Sequence, residues 1–307
     1  MSTPRIGLVL GGGGARGLAH IVVVEALDEL GVRVDAISGT SIGAIFGAGT
    51  AAGLTGRSMR EVALENFRNR AKLVAKLWEL RPTKLIELWQ SGGSVQIDPE
   101  KVLELFIGPM IPERFEDLVI PLSVTTTDFY GWQAEHFRKG DLRKAVAASM
   151  AIPVLFKPVA HEGRVLVDGG VVDPLPLTSL PAPVDLTIAV DVMPYPEAHH
   201  GTKLPGAREA IMGATQILMQ AVVAEKIRHN PPDLLLRPKV SGFAVLDFHR
   251  IDEIFTAVEP LKDEVKRRVD RLLSSETTTA EALPPPPQKK RLPKALRLLT
   301  GAKPEKS

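Results

Sequence analysis

Two short patterns in this chain carry residue types suited to nucleophilic chemistry: Gly39-Thr40-Ser41-Ile42-Gly43 and, upstream, the glycine run from Gly11 to Gly17. Gly-x-Ser-x-Gly fits a sharp strand-to-helix turn that pushes a serine Oγ into the open. Glycine two residues to either side lets backbone and helix pass that close. The glycine run offers backbone N–H groups at a helix start, which acyl transfer needs to hold a developing oxyanion. Taken alone, Ser41 also reads as an ordinary N-cap serine. A serine hydroxyl is a poor nucleophile until a base takes its proton, so a partner has to be found.

Two carboxylates compete for that role. Asp191 after a strand, with His249 downstream, would give the serine, acid, histidine order of an α/β-hydrolase. Asp168, in Val165-Leu-Val-Asp168-Gly169-Gly170, ends a strand, where α/β sheets present reactive groups. Gly169 and Gly170 let the chain turn away and leave the carboxylate accessible, although Asp-Gly is also a common turn pair. A different class of function is open too: Gly12-x-Gly14-x-x-Gly17 after a strand is a dinucleotide fingerprint, with Asp35 near the offset of a ribose-binding acid. Against it, Asp35 opens the strand feeding Ser41, whereas a ribose acid closes one.

The elements that must position these residues follow from hydrophobic periodicity. Arg5 to Leu10 reads as a buried strand, followed by a helix from about Ala15 to Leu30 that stops at Gly31. Val34 to Ser38 is a second strand entering the Ser41 turn, and Ile42 to Gly53 a closely packed helix of small and apolar residues. Residues 57–107 read as a helical cap or lid, with Asp98-Pro99 as a helix start. Leu118 to Val124, Gln133 to Phe137, Val165 to Val167 and Leu186 to Val190 read as strands; Leu142 to Ser149, Gly206 to His229 and Asp252 to Leu273 read as helices. The pattern predicts an α/β fold with a mostly parallel central sheet, one domain over 1–274, and a flexible Pro-rich basic tail over 275–307.

Composition narrows the chemistry. With 44% hydrophobic and 24% charged residues in 307, the chain is ordinary for a globular protein. There is no Cys, which excludes thiolate metal sites, disulfides and Cys nucleophiles. The net charge of +2 hides a basic tail: Pro284 to Ser307 holds seven basic residues and one acid, leaving the remainder mildly acidic and giving no reason to expect nucleic acid as partner. No apolar run approaches the ~20 residues of a membrane span, and none at the start has the length of a signal peptide's apolar core, so a cytoplasmic chain is expected.

In combination the motifs resemble those of the patatin-like phospholipases, in particular the compact bacterial members. The matches are Gly12-Gly13-Gly14-Ala15-Arg16-Gly17, Gly39-Thr40-Ser41-Ile42-Gly43, the block Ala147 to Pro158 and Asp168-Gly169-Gly170, in the family's order. They run from about Arg5 to Asp191, and the likeness fades beyond Pro194. The resemblance implies a three-layer sandwich of that fold and hydrolysis of a lipid carboxyl ester without metal or cofactor. Ser41 would be nucleophile and Asp168 proton acceptor, with no histidine member. Gly12, Gly13 and Gly14 would form the oxyanion hole, with Arg16 bracing the loop or a lipid head. Asp173 departs from the pattern, since many members carry asparagine there. A catalytically silent regulatory or scaffold protein on the same fold is the alternative. His20 is expected to be a packed helix residue, and His199-His200 a solvated loop.

Phe67 to Trp89 interleaves Trp78, Trp89 and leucines with Arg68, Arg70, Lys72, Lys76, Arg81 and Lys84, as an interfacial helix does. The favoured reading is a lid that also touches membrane; a cap with a solvated basic face is the plainer one. The basic tail, with Leu292, Ala295, Leu296 and Leu299 on one face, is a second candidate for peripheral contact at the inner leaflet. Oligomeric state is not legible.

Overall fold

The computed structural model describes residues 4–79, 96–195 and 204–274. Residues 80–89 of the expected interfacial segment, with Trp89, the side chains of Lys72 and Lys76, His199-His200 and the tail 275–307 lie outside the described residues.

Among the described residues eight strands form one sheet: β1 (Ile6–Leu10), β2 (Ala36–Thr40), β3 (Leu122–Asp128), β4 (Gln133–Phe137), β5 (Val159–His161), β6 (Arg164–Asp168), β7 (Leu186–Val190) and β8 (Leu234–Leu236). The order is β5-β6-β3-β2-β1-β7-β8, with β4 also on β3. The pairs β1–β2, β1–β7, β2–β3 and β7–β8 are parallel. The pairs β3–β4, β3–β6 and β5–β6 are antiparallel, so the sheet is mixed.

Alternation along the strands supplies two cores. Leu8, Leu10, Ile188 and Val190 face the larger one, together with α1 (Ala19–Glu29), α2 (Ile42–Ala51), α6 (Leu142–Ser149), α8 (Ile251–Val258) and α9 (Pro260–Ser274). Val9 and Ala189 point the other way, onto Leu175, Leu177 and the Val223 and Ile227 side chains of α7 (Ala207–His229). Helices therefore flank both faces, the three-layer arrangement expected for a period-two pattern buried on each side. The helices α3 (Gly56–Phe67), α4 (Arg70–Glu79) and α5 (Pro99–Phe106) lie within the expected cap. Asp98 caps α5 by accepting the N–H groups of Glu100 and Lys101. No helix among the described residues is long and apolar enough to cross a membrane.

Local structure departs from the expectations at the chain's punctuation. The first predicted helix begins as a tight turn over Gly14–Leu18 before α1 starts. The helix expected over Asp252 to Leu273 is two, α8 and α9, with Glu259 between them. Pro260 explains the break, because its ring cannot donate to the preceding turn and is favoured at a first helical position.

The register of β3 decides where the site falls. Along one edge, β4 covers Val124 to Asp128. β2 pairs with Leu122 to Thr125 and β6 with Thr126 to Asp128, and since β4 fills the opposite edge at those positions, β2 and β6 share one edge. Thr40 stands beside Thr125 and Asp168 beside Thr126. The two strands thus run toward each other and end head to head.

Candidate active site

Ser41 leaves the end of β2 at φ 56 and ψ −124, a conformation that costs a non-glycine residue roughly 1–3 kcal/mol. Three sets of contacts hold it. A Cβ on Gly39 would lie 2.5 Å from the Gly43 carbonyl oxygen, and one on Gly43 would lie 2.1 Å from the Leu10 carbonyl oxygen, so both flanking positions admit only glycine. The Ser41 carbonyl accepts from Ala44 and Ile45 in the first turn of α2. The Ser41 N–H donates to Ser149 Oγ at 2.8 Å, and that hydroxyl donates to the Thr125 carbonyl at 2.6 Å.

The Ser41 hydroxyl donates to Asp168 Oδ2 at 2.7 Å. Asp168 is held as firmly. Its Oδ1 accepts the Gly170 N–H at 2.7 Å, its carbonyl accepts from Thr127 Oγ1 at 2.9 Å, and its own N–H donates to the Ala151 carbonyl at 3.0 Å. Gly169 fits because the Thr125 carbonyl occupies the space a Cβ would need. Burial pushes the Asp168 carboxyl up to about 6, against the opposing pull of the Ser41 and Gly170 hydrogen bonds. A carboxylate with that affinity is far better matched to proton transfer near neutrality than an ordinary one at ~3.9.

The glycine loop packs against the same turn. The N–H groups of Gly13 and Gly14 have no acceptor among the described residues. Gly12 differs from its expected role, since its N–H donates to the Pro174 carbonyl at 2.8 Å and is not free to meet an oxyanion. Gly14 sits at φ +61 with Val245 pressed against it, and Gly17 lies where a Cβ would collide with Ile42. Arg16 is almost wholly buried; its Nε and Nη1 have no partner among the described residues, and desolvation lowers its pKa to about 10. Such burial supports bracing of the loop over contact with a lipid head. His20 is packed, as expected, and also ties down the start of the glycine loop. Its Nε2 meets the Gly11 carbonyl at 2.8 Å, and burial lowers its pKa to about 4. A neutral ring facing a carbonyl must carry its proton on Nε2.

Among the described residues neither alternative partner is hydrogen-bonded to the serine, whose hydroxyl is engaged by Asp168. Asp191 is engaged by the Met193 N–H, the Tyr195 hydroxyl and Arg237, while His249 lies in the turn Asp247–Arg250. Asp35 precedes β2 and accepts from the Ile6 N–H, which leaves the dinucleotide reading without its ribose acid. The departure at Asp173 has a structural partner that the sequence pattern does not reveal: Lys226 Nζ on α7 lies 2.7 Å from its Oδ1, and Asp173 is 1% exposed. The contact of Ser149 with the Ser41 N–H is one that the sequence motifs do not reveal, although Ser149 lies within the block Ala147 to Pro158.

Ser41 opens onto an apolar cavity of ≈ 290 Å³. Its lining follows one face of α2, through Ile42, Ile45, Phe46 and Gly49, and is completed by residues of α3 and α5. Phe67, at the end of α3, stacks on Phe106 with centroids 5.5 Å apart and lies 4.9 Å from Phe248, closing one side. Leu73 of α4 also lines the cavity, and Arg68 bonds Asp252 at 3.1 Å. The described part of the cap therefore walls the cavity, while Trp78 is 62% exposed.

Residues 8–181 match the family description Patatin-like phospholipase. An uncharacterized NTE family protein of Mycobacterium tuberculosis (strain ATCC 25618 / H37Rv) is 36% identical over 210 residues, 68% of this chain and 53% of that protein. The lysophospholipase NTE1 of Yarrowia lipolytica (strain CLIB 122 / E 150) is 30% identical over 281 residues, 83% of this chain and 19% of that protein. The chain thus spans about half the length of the mycobacterial relative and about a fifth of the yeast one. Among solved structures, VipD from Legionella pneumophila aligns over 88% of this chain and 67% of its own, with 15% identity and a TM-score of 0.45.

Proposed function

The chain belongs to the patatin-like phospholipase family, and on that footing we propose that it is a serine acyl hydrolase that cleaves carboxyl esters of phospholipids or related lipids through Ser41 and Asp168. The observation that carries this reading is the 2.7 Å hydrogen bond to a buried Asp168 from the Oγ of Ser41, a residue that lines an apolar cavity.

The chemistry follows from the geometry. The acyl chain of a lipid ester lies along α2, which brings its carbonyl to the start of that helix. Ser41 Oγ attacks the carbonyl carbon as its proton passes to Asp168 Oδ2. The oxyanion is met by the N–H groups of Gly13 and Gly14, which have no acceptor among the described residues. Removing a donor of this kind typically costs about 10²–10³ in rate. The tetrahedral adduct collapses when the alcohol leaves with the proton from Asp168, giving an ester on Ser41. Water then attacks that ester, handing its proton to Asp168, and the fatty acid departs with Ser41 restored. Every proton that moves has one station, Asp168, and the dry wall of the cavity strengthens each of these contacts.

Release of fatty acid from a monoacyl glycerophospholipid by the purified chain tests the proposal. Turnover that Ser41→Ala abolishes supports it; turnover that survives the substitution, or none by the wild type on any lipid or simple ester, contradicts it.

A further inference from the structure

The hairpin joining β3 to β4 carries a group of side chains that the site does not use. Phe129, Tyr130 and Trp132 fall within four residues and are 51%, 76% and 86% exposed, in a chain that is only 5% aromatic. A tight hairpin turn ordinarily holds Gly, Asn or Asp. Here Trp132 sits at φ 54, which for a bulky residue is costly. The turn is nevertheless rigidly built. Asp128 Oδ1 accepts the N–H groups of Tyr130 and Gly131, the Asp128 carbonyl accepts from Trp132, and the Phe129 N–H donates to Val165.

These bonds turn the backbone donors of the tip inward, so the tip presents aromatic rings and no bare N–H groups. Such a tip can leave bulk water without stranding a backbone donor. Its position is set by register: Asp168 stands opposite Thr126, and the tip begins three residues further along β3. At about 3.3 Å per residue it projects roughly 10 Å beyond the dyad, in the direction in which the parallel strand β2 delivers Ser41.

Three aromatic side chains bury at most about 150–250 Å² each, short of the ~800 Å² per partner of a stable protein interface. They suit a lipid headgroup layer, where amphipathic rings gain from partial insertion alone. The charge around them selects the lipid. Among the described residues Asp128, Glu135 and Glu162 surround Arg164, at 3.8, 3.5 and 4.0 Å, so the carboxylates of this group outnumber its cation. That balance repels an anionic leaflet and, with ring faces beside it, attracts a quaternary ammonium.

We propose that Phe129-Tyr130-Gly131-Trp132 docks the protein on a zwitterionic, choline-headgroup lipid surface and so presents the hydrolytic site to it. This rests on the lipid hydrolase reading, but its test is separable. The full chain and a Phe129→Ser, Tyr130→Ser, Trp132→Gly variant are sedimented with phosphatidylcholine and with phosphatidylglycerol vesicles, and both are assayed on a soluble short-chain nitrophenyl ester. The expected result is wild-type binding to phosphatidylcholine, weakened at least about tenfold in the variant, with soluble-ester turnover unchanged. Equal binding by the variant, preference for phosphatidylglycerol, or no wild-type binding overturns the proposal. So does light scattering that shows a dimer lost in the variant, which would assign the tip to a second copy. Binding as expected without ester turnover would sink the hydrolase reading and leave the docking assignment standing.

Discussion

Ser41 and Asp168 meet because β2 and β6 run toward each other along the same edge of β3, ending beside Thr125 and Thr126 respectively. A separation of 127 positions in sequence is closed by one hydrogen bond of 2.7 Å. A carboxylate delivered by a reversed strand lies inside the sheet's edge, not on a loop above it, and this is why Asp168 is buried and its affinity for protons is raised.

That shift fixes a pH dependence. With the Asp168 carboxyl near 6, kcat/KM on a soluble ester should fall about tenfold per pH unit below 6 and level off above it. Stability should run the opposite way. The native state holds this proton more tightly than the unfolded chain does, so its contribution to stability falls as pH climbs from about 4 to 6. Asp168→Asn should therefore be inactive yet more stable than wild type at pH 7, by on the order of 3 kcal/mol, with the gain gone at pH 4. Urea melts at the two pH values check it.

Ser149 ties the strained serine turn to β3. Ser149→Ala leaves the Ser41 N–H and the Thr125 carbonyl without their shared partner, at a cost of about 1–3 kcal/mol. Under the proposed mechanism, displacement of Ser41 should lower kcat by up to about 10²-fold with little change in KM. Steady-state kinetics beside a thermal melt separate the two effects.

The motifs make the Ser41 and Asp168 positions legible in the sequence, because each needs small neighbours that leave a signature: Gly39 and Gly43 around the serine, Gly169 and Gly170 after the acid. The fold class is legible from strand and helix periodicity. The antiparallel half of the sheet is not, since hydrophobic alternation carries no strand direction. β5 and β8, with three residues each, are too short to show a period. Gly12 shows a further limit: the pattern marks the loop, but only the fold reveals that this N–H is engaged by Pro174. Ser149 looks like an ordinary helix-end residue until Ser41 is placed against it.

Asp173 and Lys226 form a compensated pair on the smaller core's side. Lys226→Met strands a buried carboxylate and should cost about 3–5 kcal/mol. Adding Asp173→Asn should restore most of that, and a double-mutant cycle by denaturant unfolding measures the coupling. Additive losses would refute the pairing.

The cavity should act as a ruler for acyl chains. From Ser41 to Gly49 the helix rises about 12 Å at ~1.5 Å per residue, the span of roughly ten carbons with bonds of about 1.5 Å. A side chain at Gly49 would meet Met59 and Leu54. Gly49→Val should shift the preferred nitrophenyl ester to shorter chains while leaving butyrate turnover nearly unchanged. A parallel drop at all chain lengths would place the acyl chain elsewhere.

The assignment of Ser41 as nucleophile and Asp168 as its base stands or falls on labelling with a fluorophosphonate, followed by mass mapping. The label is applied to the wild type, Ser41→Ala, Asp168→Ala and His249→Ala. The expected result is a single label on Ser41 that is lost in the first two variants and kept in the third. Label on another residue, or labelling that survives Asp168→Ala but vanishes with His249→Ala, would contradict the dyad.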